Sequence, residues 1–249
     1  MQRPAEPVLS DVARQVRARG FAHVPSLGVT TAELREAQDL LDGLFSRFDQ
    51  LPEDKAVDLG VGGTREAPVV PEVLDCSVFE PRLRQTAVWR AAHRVARDVL
   101  GPDVHATYDH AIYKPPGLAG VTSWHQDAAF DLEQDHGLAV WVPFQDTAVQ
   151  DGCMRYVPRS HLDGLVPHAL RTGPAGKEVF YLDVADESAE DVPCSLGGAT
   201  VHDFYTFHGA GSNLGSSVRR AWVLDFSTSP LPRRVARKVK RAAFSLIGR

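Results

Sequence analysis

The sequence predicts a mainly β fold with flanking helices, and three observations lead to that prediction. Before residue 101 the apolar residues recur every three or four positions, which is the period of an amphipathic helix. Beyond that point short apolar runs alternate with turn-forming residues, a pattern typical of sandwiches and barrels. The chain has 249 residues, a length at which such folds often form one domain.

We therefore expect a single domain over residues 1–249. Its parts are a helical region at 1–101, a β core at about 102–228 and a basic helix at about 232–249. No repeat, low-complexity tract or interdomain linker interrupts this plan.

The helical region is predicted from periodicity and from residues that begin or end helices. A first helix over Asp11–Gly20 closes at a glycine, and the strand-like run Phe21–Pro25 follows it. A second helix begins at Thr30 or Thr31. Its apolar stripe consists of Leu34, Ala37, Leu40, Leu41, Leu44 and Phe48.

A third helix is predicted over Arg82–Leu100, because Gly101-Pro102 gives a strong stop signal after an apolar stripe. The preceding segment Leu51–Pro71 is rich in glycine, proline and charge, so we interpret it as a loop. We expect this loop and the segment Ala128–Gly137 to cover the substrate and to be more mobile than the strands.

The β core is predicted from short apolar runs separated by turns. These runs are Val104–Tyr113, Leu138–Phe144, Met154–Val157, Val179–Leu182, Thr200–Phe207 and Arg220–Phe226. After them, Pro232–Arg249 has apolar residues at helical spacing and an excess of basic residues. A solvated helix on the protein body, an anionic membrane surface and an anionic substrate group are alternative explanations of that charge.

The composition excludes several classes of function. Hydrophobic residues make up 43% of the chain, and a net charge of -5 lacks the basic balance of a nucleic-acid-binding protein. Cys76, Cys153 and Cys194 lie far apart, which excludes a C-x-x-C site and suits a reducing compartment. No signal-peptide pattern or membrane-length apolar run is evident. We expect a cytoplasmic protein, monomeric or homodimeric, that acts on a small molecule.

The chemistry is predicted to centre on Trp124-His125-Gln126-Asp127. On an extended strand His125 and Asp127 project from one face, so an imidazole nitrogen and a carboxylate oxygen can bind one metal ion. A second histidine from elsewhere would complete a 2-His-1-carboxylate triad, the usual holder of non-heme Fe(II) in oxygenases. A lone His-x-Asp is a weak signal, because it equally suits a polar surface strand.

His208 is the preferred third ligand, because it ends a strand-like run and opens a Gly-rich turn. Eleven residues later Arg219 begins the next strand, and a guanidinium binds a carboxylate bidentately. A metal triad with an arginine nearby is what a site for a keto-dicarboxylate needs. His202 is a rival ligand on the same predicted strand, but the residue eleven places after it is Asn213, which cannot pair with a carboxylate.

These motifs together resemble the phytanoyl-CoA dioxygenase family of Fe(II)/2-oxoglutarate-dependent oxygenases, over nearly the whole chain. Each motif is weak alone, whereas their order makes the match specific. The matching segments are Lys114-Pro115-Pro116-Gly117, Trp124 to Asp127, Trp141 to Asp146, Asp151-Gly152-Cys153 through Ser160-His161, and His208 with Arg219.

The resemblance implies a double-stranded β-helix, the jelly roll of cupins, with helices packed outside. It implies that His125, Asp127 and His208 bind Fe(II), and that Arg219 pairs with the distal carboxylate of 2-oxoglutarate. It further implies that O2 is consumed and that ascorbate supports activity.

Three further residues are predicted near the cosubstrate. His110 and Trp141 fall on positions that line 2-oxoglutarate in the family, although His110 equally suits a satisfied core histidine. Many members carry serine two residues after the distal histidine, where this chain has Ala210. Tyr108 or His110 would replace the missing hydroxyl group.

The function implied is a tailoring oxygenase of specialised metabolism that acts on an unactivated C–H bond. Its outcome would be hydroxylation, epimerisation, cyclisation or desaturation. The alternatives are a cupin-like metal sensor without turnover, an acyl-CoA hydroxylase and a zinc hydrolase. Arg219 argues against a sensor, because a sensor has no need of a guanidinium that binds a dicarboxylate. A hydrolase is disfavoured, because no second acid–base residue is evident near the predicted ligands.

Overall fold

The computed structural model describes residues 10–60, 62–117, 121–130, 137–172 and 178–228. The predicted basic helix at about 232–249 and residues 131–136 of the predicted mobile segment lie outside these ranges. Within the described ranges, no helix is long and apolar enough to cross a membrane.

Three of the four described α-helices begin after a residue whose side chain accepts a hydrogen bond from a backbone N–H of the first turn. The four helices are α1 (Asp11–Arg19), α2 (Thr31–Phe45), α3 (Cys76–Phe79) and α4 (Ala87–Leu100). Thr30 and Glu33 form a reciprocal capping box at the start of α2. Gly20 ends α1 in the left-handed conformation, with φ of 90°. The first two predicted helices are thus confirmed, although α2 ends three residues before Phe48.

The described strands are short, as predicted for a β core. They are β1 (Phe21–Val24), β2 (Ala56–Asp58), β3 (Pro71–Leu74), β4 (His105–Lys114), β5 (Thr122–His125), β6 (Gly137–Pro143), β7 (Met154–Tyr156), β8 (Ala169–Thr172), β9 (Glu178–Tyr181), β10 (Glu190–Val192), β11 (Ala199–Asp203), β12 (His208–Ala210) and β13 (Arg219–Ser227).

Two antiparallel sheets hold most of these strands. The larger has the order β1-β11-β6-β13-β4-β3-β2, and the smaller has the order β10-β7-β12-β5. Strands β8 and β9 form a separate pair. The predicted mainly β fold with flanking helices is therefore confirmed.

Each strand of the larger sheet serves two different environments, because alternate side chains point to opposite faces. One face packs against the helices and includes Val140 of β6, Val201 of β11 and Leu224 of β13. The other face turns toward the smaller sheet, where Trp141 of β6 joins Tyr156 of β7 in a second apolar cluster. The space between the sheets is therefore enclosed by an apolar wall on both sides.

Three predicted boundaries are wrong. The predicted helix Arg82–Leu100 is divided, because a 3-10 turn at Pro81–Gln85 ends before Thr86 caps α4. The predicted loop Leu51–Pro71 contains β2, which pairs with β3 at the sheet edge. The predicted strand Thr200–Phe207 is also divided, since a turn at 204–207 separates β11 from β12.

Gly20 provides a test of how the first helix joins the sheets. A Cβ atom there would lie 2.5 Å from Thr206 Oγ1 and 2.7 Å from His161 Nδ1, and the positive φ adds backbone strain. We expect Gly20→Ala to lower the free energy of unfolding by roughly 1–3 kcal/mol, measured by urea denaturation.

Gly43 in α2 is the matched control, because a Cβ atom there would meet nothing within 4 Å. Gly43→Ala should be neutral or stabilising by up to about 1 kcal/mol, since alanine favours the helix. Equal effects of the two substitutions would contradict the proposed role of Gly20.

Candidate metal centre

His125 and His208 lie directly opposite each other on neighbouring strands of the smaller sheet. Strand β5 pairs with β12 in a register that aligns these two residues. Directly opposed side chains in an antiparallel pair lie on the same face and close together. The two imidazole rings are accordingly 4.2 Å apart between centroids, on the face toward the larger sheet.

Asp127 completes the cluster from a 3-10 turn, Asp127–Ala129, that follows β5. Its Oδ1 atom lies 3.8 Å from His125 Nε2 and 3.4 Å from His208 Nε2. One ligand atom from each of the three residues lies within 4.8 Å of the other two. The structure therefore brings together the three residues predicted to bind metal.

The outer nitrogens of both histidines show that the donor set fits a metal cation. His125 Nδ1 is 2.7 Å from the Ser123 carbonyl oxygen, and His208 Nδ1 is 2.9 Å from that of Thr206. A carbonyl only accepts, so each Nδ1–H donates and each Nε2 presents its lone pair to the cluster. Backbone carbonyls fix metal-binding histidines in the same way in known sites.

Electrostatics favour the protonation states that metal binding requires. Burial lowers the pKa of His125 to about 3, which keeps its imidazole neutral. Burial opposes the charge of Asp127, but the nearby His208 and the hydrogen bond from His202 outweigh it. The pKa of Asp127 is therefore held well below its ordinary range, and Asp127 is a carboxylate beside the neutral imidazole of His125.

Gln126, between the two ligands, anchors the His-x-Asp segment to the rest of the protein. Its side chain is fully buried and donates to the carbonyl oxygens of Gly164 and Tyr205, at 2.7 Å each. Its Oε1 accepts from the Val166 backbone, and its own backbone N–H donates to His168 Nε2. Every polar group of the Gln126 side chain therefore forms a hydrogen bond that holds the His-x-Asp segment in place.

His202 does not share a strand with His208, contrary to the prediction. It lies on β11 of the larger sheet, while His208 lies on β12 of the smaller one. The rings are nevertheless 4.1 Å apart, because the two sheets face each other. His202 Nε2 is 3.0 Å from Asp127 Oδ2, so this rival histidine contacts the carboxylate rather than joining the ligand cluster.

Two basic residues, Arg219 and Lys114, lie at one end of the same inner face. They are directly paired between β13 and β4, and each is only 2% exposed. Arg219 Nε is buried without a hydrogen-bond partner in the described part of the chain, while Lys114 Nζ donates to the Gly211 carbonyl oxygen at 3.1 Å. The Arg219 guanidinium lies 5.6 Å from the ring centroid of Trp141.

Burial affects the ionisation of these two basic residues differently. It lowers the pKa of Arg219 to about 10, which leaves the guanidinium charged at neutral pH. It lowers the pKa of Lys114 well below its ordinary range, and the charge of Arg219 acts in the same direction, so the neutral amine of Lys114 is favoured. The buried Arg219 guanidinium is therefore the group that favours an anion as its ligand.

Two more residues predicted near the cosubstrate, Tyr108 and His110, lie on β4, whereas His161 lies in a turn away from the cluster. His110 Nδ1–H donates to Glu72 Oε1 across 2.8 Å, and its ring stacks on Tyr108 at 5.4 Å between centroids. Burial opposes the charge of His110, but the bond to Glu72 prevails and raises the pKa of His110 to about 9. His161 contacts the Arg17 carbonyl oxygen in a turn, as expected of a histidine that orders the chain.

Sequence reasoning did not identify the roles of Gln126 and Lys114. Both residues belong to motifs that carry the family resemblance, Lys114 to Lys114–Gly117 and Gln126 to Trp124–Asp127, so the motifs themselves pointed to these positions. The buried partner of each is supplied by a segment distant in sequence, at 164–166 for Gln126 and at 219 for Lys114. Such partners cannot be identified from local spacing.

Comparison with known proteins identifies a family match over most of the chain. A model of the phytanoyl-CoA dioxygenase (PhyH) family matches residues 16–221. A phytanoyl-CoA dioxygenase domain-containing protein 1 from Danio rerio is 30% identical over 128 residues, which cover 47% of this chain and 43% of that protein. The matches span less than half the length of the curated relatives.

Solved structures match over a larger share. EvdO2 from Micromonospora carbonacea var. aurantiaca, crystallised with 2-oxoglutarate, is 29% identical, with a TM-score of 0.74 over 94% of this chain and 97% of EvdO2. The epimerase SnoN, solved with Fe3+, alpha-ketoglutarate and nogalamycin RO, is 23% identical. Its TM-score is 0.65 over 87% of this chain and 82% of SnoN, and this likeness shows the fold alone.

Removal of either histidine tests the metal centre. We expect His125→Ala and His208→Ala to weaken Fe(II) or Co(II) binding by more than the roughly ten- to hundredfold that loss of an outer partner costs. Isothermal titration under anaerobic conditions measures this, with circular dichroism to confirm that the fold is retained.

His161→Ala is the control, because His161 bonds to a backbone carbonyl away from the cluster. Its metal affinity should equal that of the wild type. If His202→Ala abolished binding while His208→Ala did not, His208 would not be the third ligand.

Proposed function

This chain belongs to the phytanoyl-CoA dioxygenase family, and we propose that within it the protein is a non-heme Fe(II)/2-oxoglutarate-dependent dioxygenase. Its reaction would act on an unactivated C–H bond of a small molecule. The observation that carries this proposal is the convergence of His125, Asp127 and His208, together with a buried Arg219 next to Trp141 on the inner face of the larger sheet. Two imidazoles and one carboxylate are the donor set that non-heme Fe(II) oxygenases use.

The fold supports the same assignment. We assign the two facing antiparallel sheets as a double-stranded β-helix with helices on the outer face of the larger sheet. The similarity to EvdO2 extends over almost the full length of both chains, and that protein binds 2-oxoglutarate. The candidate metal centre lies between the two sheets, where His202 of β11 and His208 of β12 have ring centroids 4.1 Å apart.

The residues of this chain would divide the work between holding the metal and holding the cosubstrate. When bound, Fe(II) and 2-oxoglutarate supply the power to activate O2 and to remove hydrogen from an unactivated C–H bond. His125, Asp127 and His208 would hold the metal, and Arg219 would pair with the distal carboxylate of 2-oxoglutarate. Trp141 beside Arg219 closes that end of the space with an apolar wall.

Asp127 also narrows the range of reactions. Halogenation by this type of centre requires a free position where the carboxylate ligand stands, and here Asp127 fills it. Hydroxylation, epimerisation, cyclisation and desaturation all remain compatible with the three ligands, because the triad does not choose among these outcomes.

We further propose that the substrate is a natural product and that the enzyme is a tailoring enzyme. The similarity to EvdO2, which binds 2-oxoglutarate, extends over almost the full length of both chains, whereas the curated relatives match over less than half of their own length. This difference supports a tailoring enzyme over an acyl-CoA hydroxylase. A metal sensor is disfavoured, because a sensor has no use for a buried arginine that stays charged.

Arg219 separates an oxygenase from a simple metal-binding protein. Loss of one partner of a buried ion pair costs roughly 3–5 kcal/mol, because the other charge is left uncompensated. Arg219→Gln should therefore weaken 2-oxoglutarate binding by about a hundredfold to several thousandfold. The measurement is anaerobic titration of the absorbance of the Fe(II)–2-oxoglutarate complex.

Arg220 is the matched control on the same strand. It points to the helical side, where it pairs with Asp42 at 3.2 Å and contacts the Tyr113 ring. Arg220→Gln should leave the affinity for 2-oxoglutarate unchanged. Arg219→Lys should bind 2-oxoglutarate better than Arg219→Gln but more weakly than the wild type, since an ammonium group cannot form the two parallel hydrogen bonds of a guanidinium. Equal weakening by both glutamine variants would contradict the assignment of Arg219.

Turnover with candidate substrates tests the activity itself. We expect succinate formation that depends on Fe(II), 2-oxoglutarate and O2, with ascorbate present. Mass spectrometry of the product then distinguishes gain of one oxygen atom, loss of two hydrogens and an unchanged mass. Absence of 2-oxoglutarate-dependent succinate formation with every candidate, together with wild-type 2-oxoglutarate affinity in Arg219→Gln, would contradict the proposal.

A further inference from the structure

A chain of hydrogen bonds connects the candidate metal centre to the interior of both sheets. Asp127 Oδ2 is 3.0 Å from His202 Nε2, and His202 Nδ1 is 3.2 Å from the Tyr156 hydroxyl. That hydroxyl is 2.7 Å from Thr200 Oγ1. His202 is 1% exposed, and Tyr156 and Thr200 are 0% exposed, so no bulk solvent competes for these bonds.

The direction of each bond follows from what each group can donate. The Asp127 carboxylate only accepts, so His202 Nε2–H is the donor. His202 Nδ1 then carries the lone pair and accepts from the Tyr156 hydroxyl, whose oxygen in turn accepts from Thr200. The tautomer of His202 is thus the opposite of that of His125 and His208, whose Nδ1–H groups donate to backbone carbonyls.

The two oxygens of Asp127 consequently have different tasks. Oδ1 is the atom that faces both His125 Nε2 and His208 Nε2, while Oδ2 is occupied by His202. The backbone holds the turn as well, because the Ala128 N–H donates to the Phe204 carbonyl oxygen at 3.1 Å. With the backbone held, the Asp127 carboxylate can still rotate about its side-chain bonds. The hydrogen bond from His202 Nε2–H to Oδ2 opposes that rotation.

We propose that His202 is a positioning residue of the metal centre, which holds Asp127 so that a single oxygen binds the metal. This inference rests on the proposed function, since it assumes that Asp127 is a metal ligand. Tyr156 acts one step further out by imposing the tautomer in which His202 donates from Nε2. His202 is itself no ligand, because its Nε2–H points at Oδ2 and its lone pair is directed at Tyr156.

The geometry also explains why this histidine reaches the centre from the opposite sheet. His202 pairs with Ala139 of β6 on one side and Phe21 of β1 on the other. The small side chain of Ala139 faces the same space and leaves room for the imidazole beside Asp127. Tyr156 is held in place by stacking on Phe21, with ring centroids 4.6 Å apart.

Three substitutions test the proposal on the full-length protein. His202→Leu removes the donor while conserving bulk, and His202→Gln keeps an N–H donor near the position of Nε2. Tyr156→Phe removes only the hydroxyl that fixes the tautomer. The readouts are the dissociation constant of Co(II) and the visible absorbance of bound Co(II), which reports the ligand geometry independently of turnover.

We expect His202→Leu to weaken Co(II) binding by roughly ten- to hundredfold and to change the absorbance, as loss of an outer-shell partner does. His202→Gln should restore most of the affinity. Tyr156→Phe should give a smaller change of the same kind. If His202→Leu does not fold, the other two variants still decide, because restored binding in the glutamine variant with altered absorbance in Tyr156→Phe supports the proposal.

Tyr113→Phe is the matched control, since the Tyr113 hydroxyl is also buried and bonds to a carboxylate, that of Asp42, on the helical side. It should change neither readout. Wild-type affinity and absorbance in His202→Leu would overturn the proposal. Loss of binding in His202→Gln as complete as in His208→Ala would also overturn it, because His202 would then be a ligand. Normal Co(II) binding by His125→Ala and His208→Ala would instead refute the proposed function.

Discussion

The carboxylate of Asp127 is the point on which the arrangement of the site depends. It is a partly buried anion among three imidazoles, two from the smaller sheet and one from the larger. His202 donates an N–H group to this carboxylate, whereas His125 and His208 direct their Nδ1–H groups at backbone carbonyls. The Nε2 lone pairs of His125 and His208 therefore face the carboxylate, and a cation between them would be attracted by all three groups. The separation of the two sheets is therefore constrained by what this one side chain can bridge.

The pleat of the larger sheet makes that constraint compatible with a stable core. On β13, Trp222 and Leu224 pack under the helices, while Arg219 and Val223 face the site. A shift of one residue in register would place tryptophan in the site and arginine in the core. The apolar packing of the helical face thus selects the register that presents the polar residues correctly, and the site depends on the core for its alignment.

The sequence was sufficient for the parts of the site that are local. His125 and Asp127 are two residues apart, and His208 and Arg219 are separated by the segment 211–218, so spacing together with the family resemblance identified all four. The division of Thr200–Phe207 was missed, because Phe204, Tyr205 and Phe207 are residues that strands favour. The turn there is stabilised by contacts from distant segments, such as the bond from the Ala128 backbone to Phe204.

The roles of His202, Gln126 and Lys114 depend on partners that the sequence does not place nearby. A buried glutamine and a buried lysine look like surface residues in composition, because both are usually exposed. Only the tertiary fold reveals that Gln126 finds all its partners in two remote loops, and that Lys114 sits opposite Arg219.

The burial of Arg219 has a consequence for the lifetime of the protein. Its guanidinium charge is buried and its Nε lacks a partner among the residues that the structure describes, which opposes the folded state until a negative group pairs with it. An anion that fits there therefore stabilises the folded chain. Anything bound only by the folded chain shifts the folding equilibrium by mass action. Heat resistance and resistance to proteolysis should then follow the concentration of the small acid in the surroundings, and the supply of that metabolite would govern how long each molecule survives as well as how fast it works.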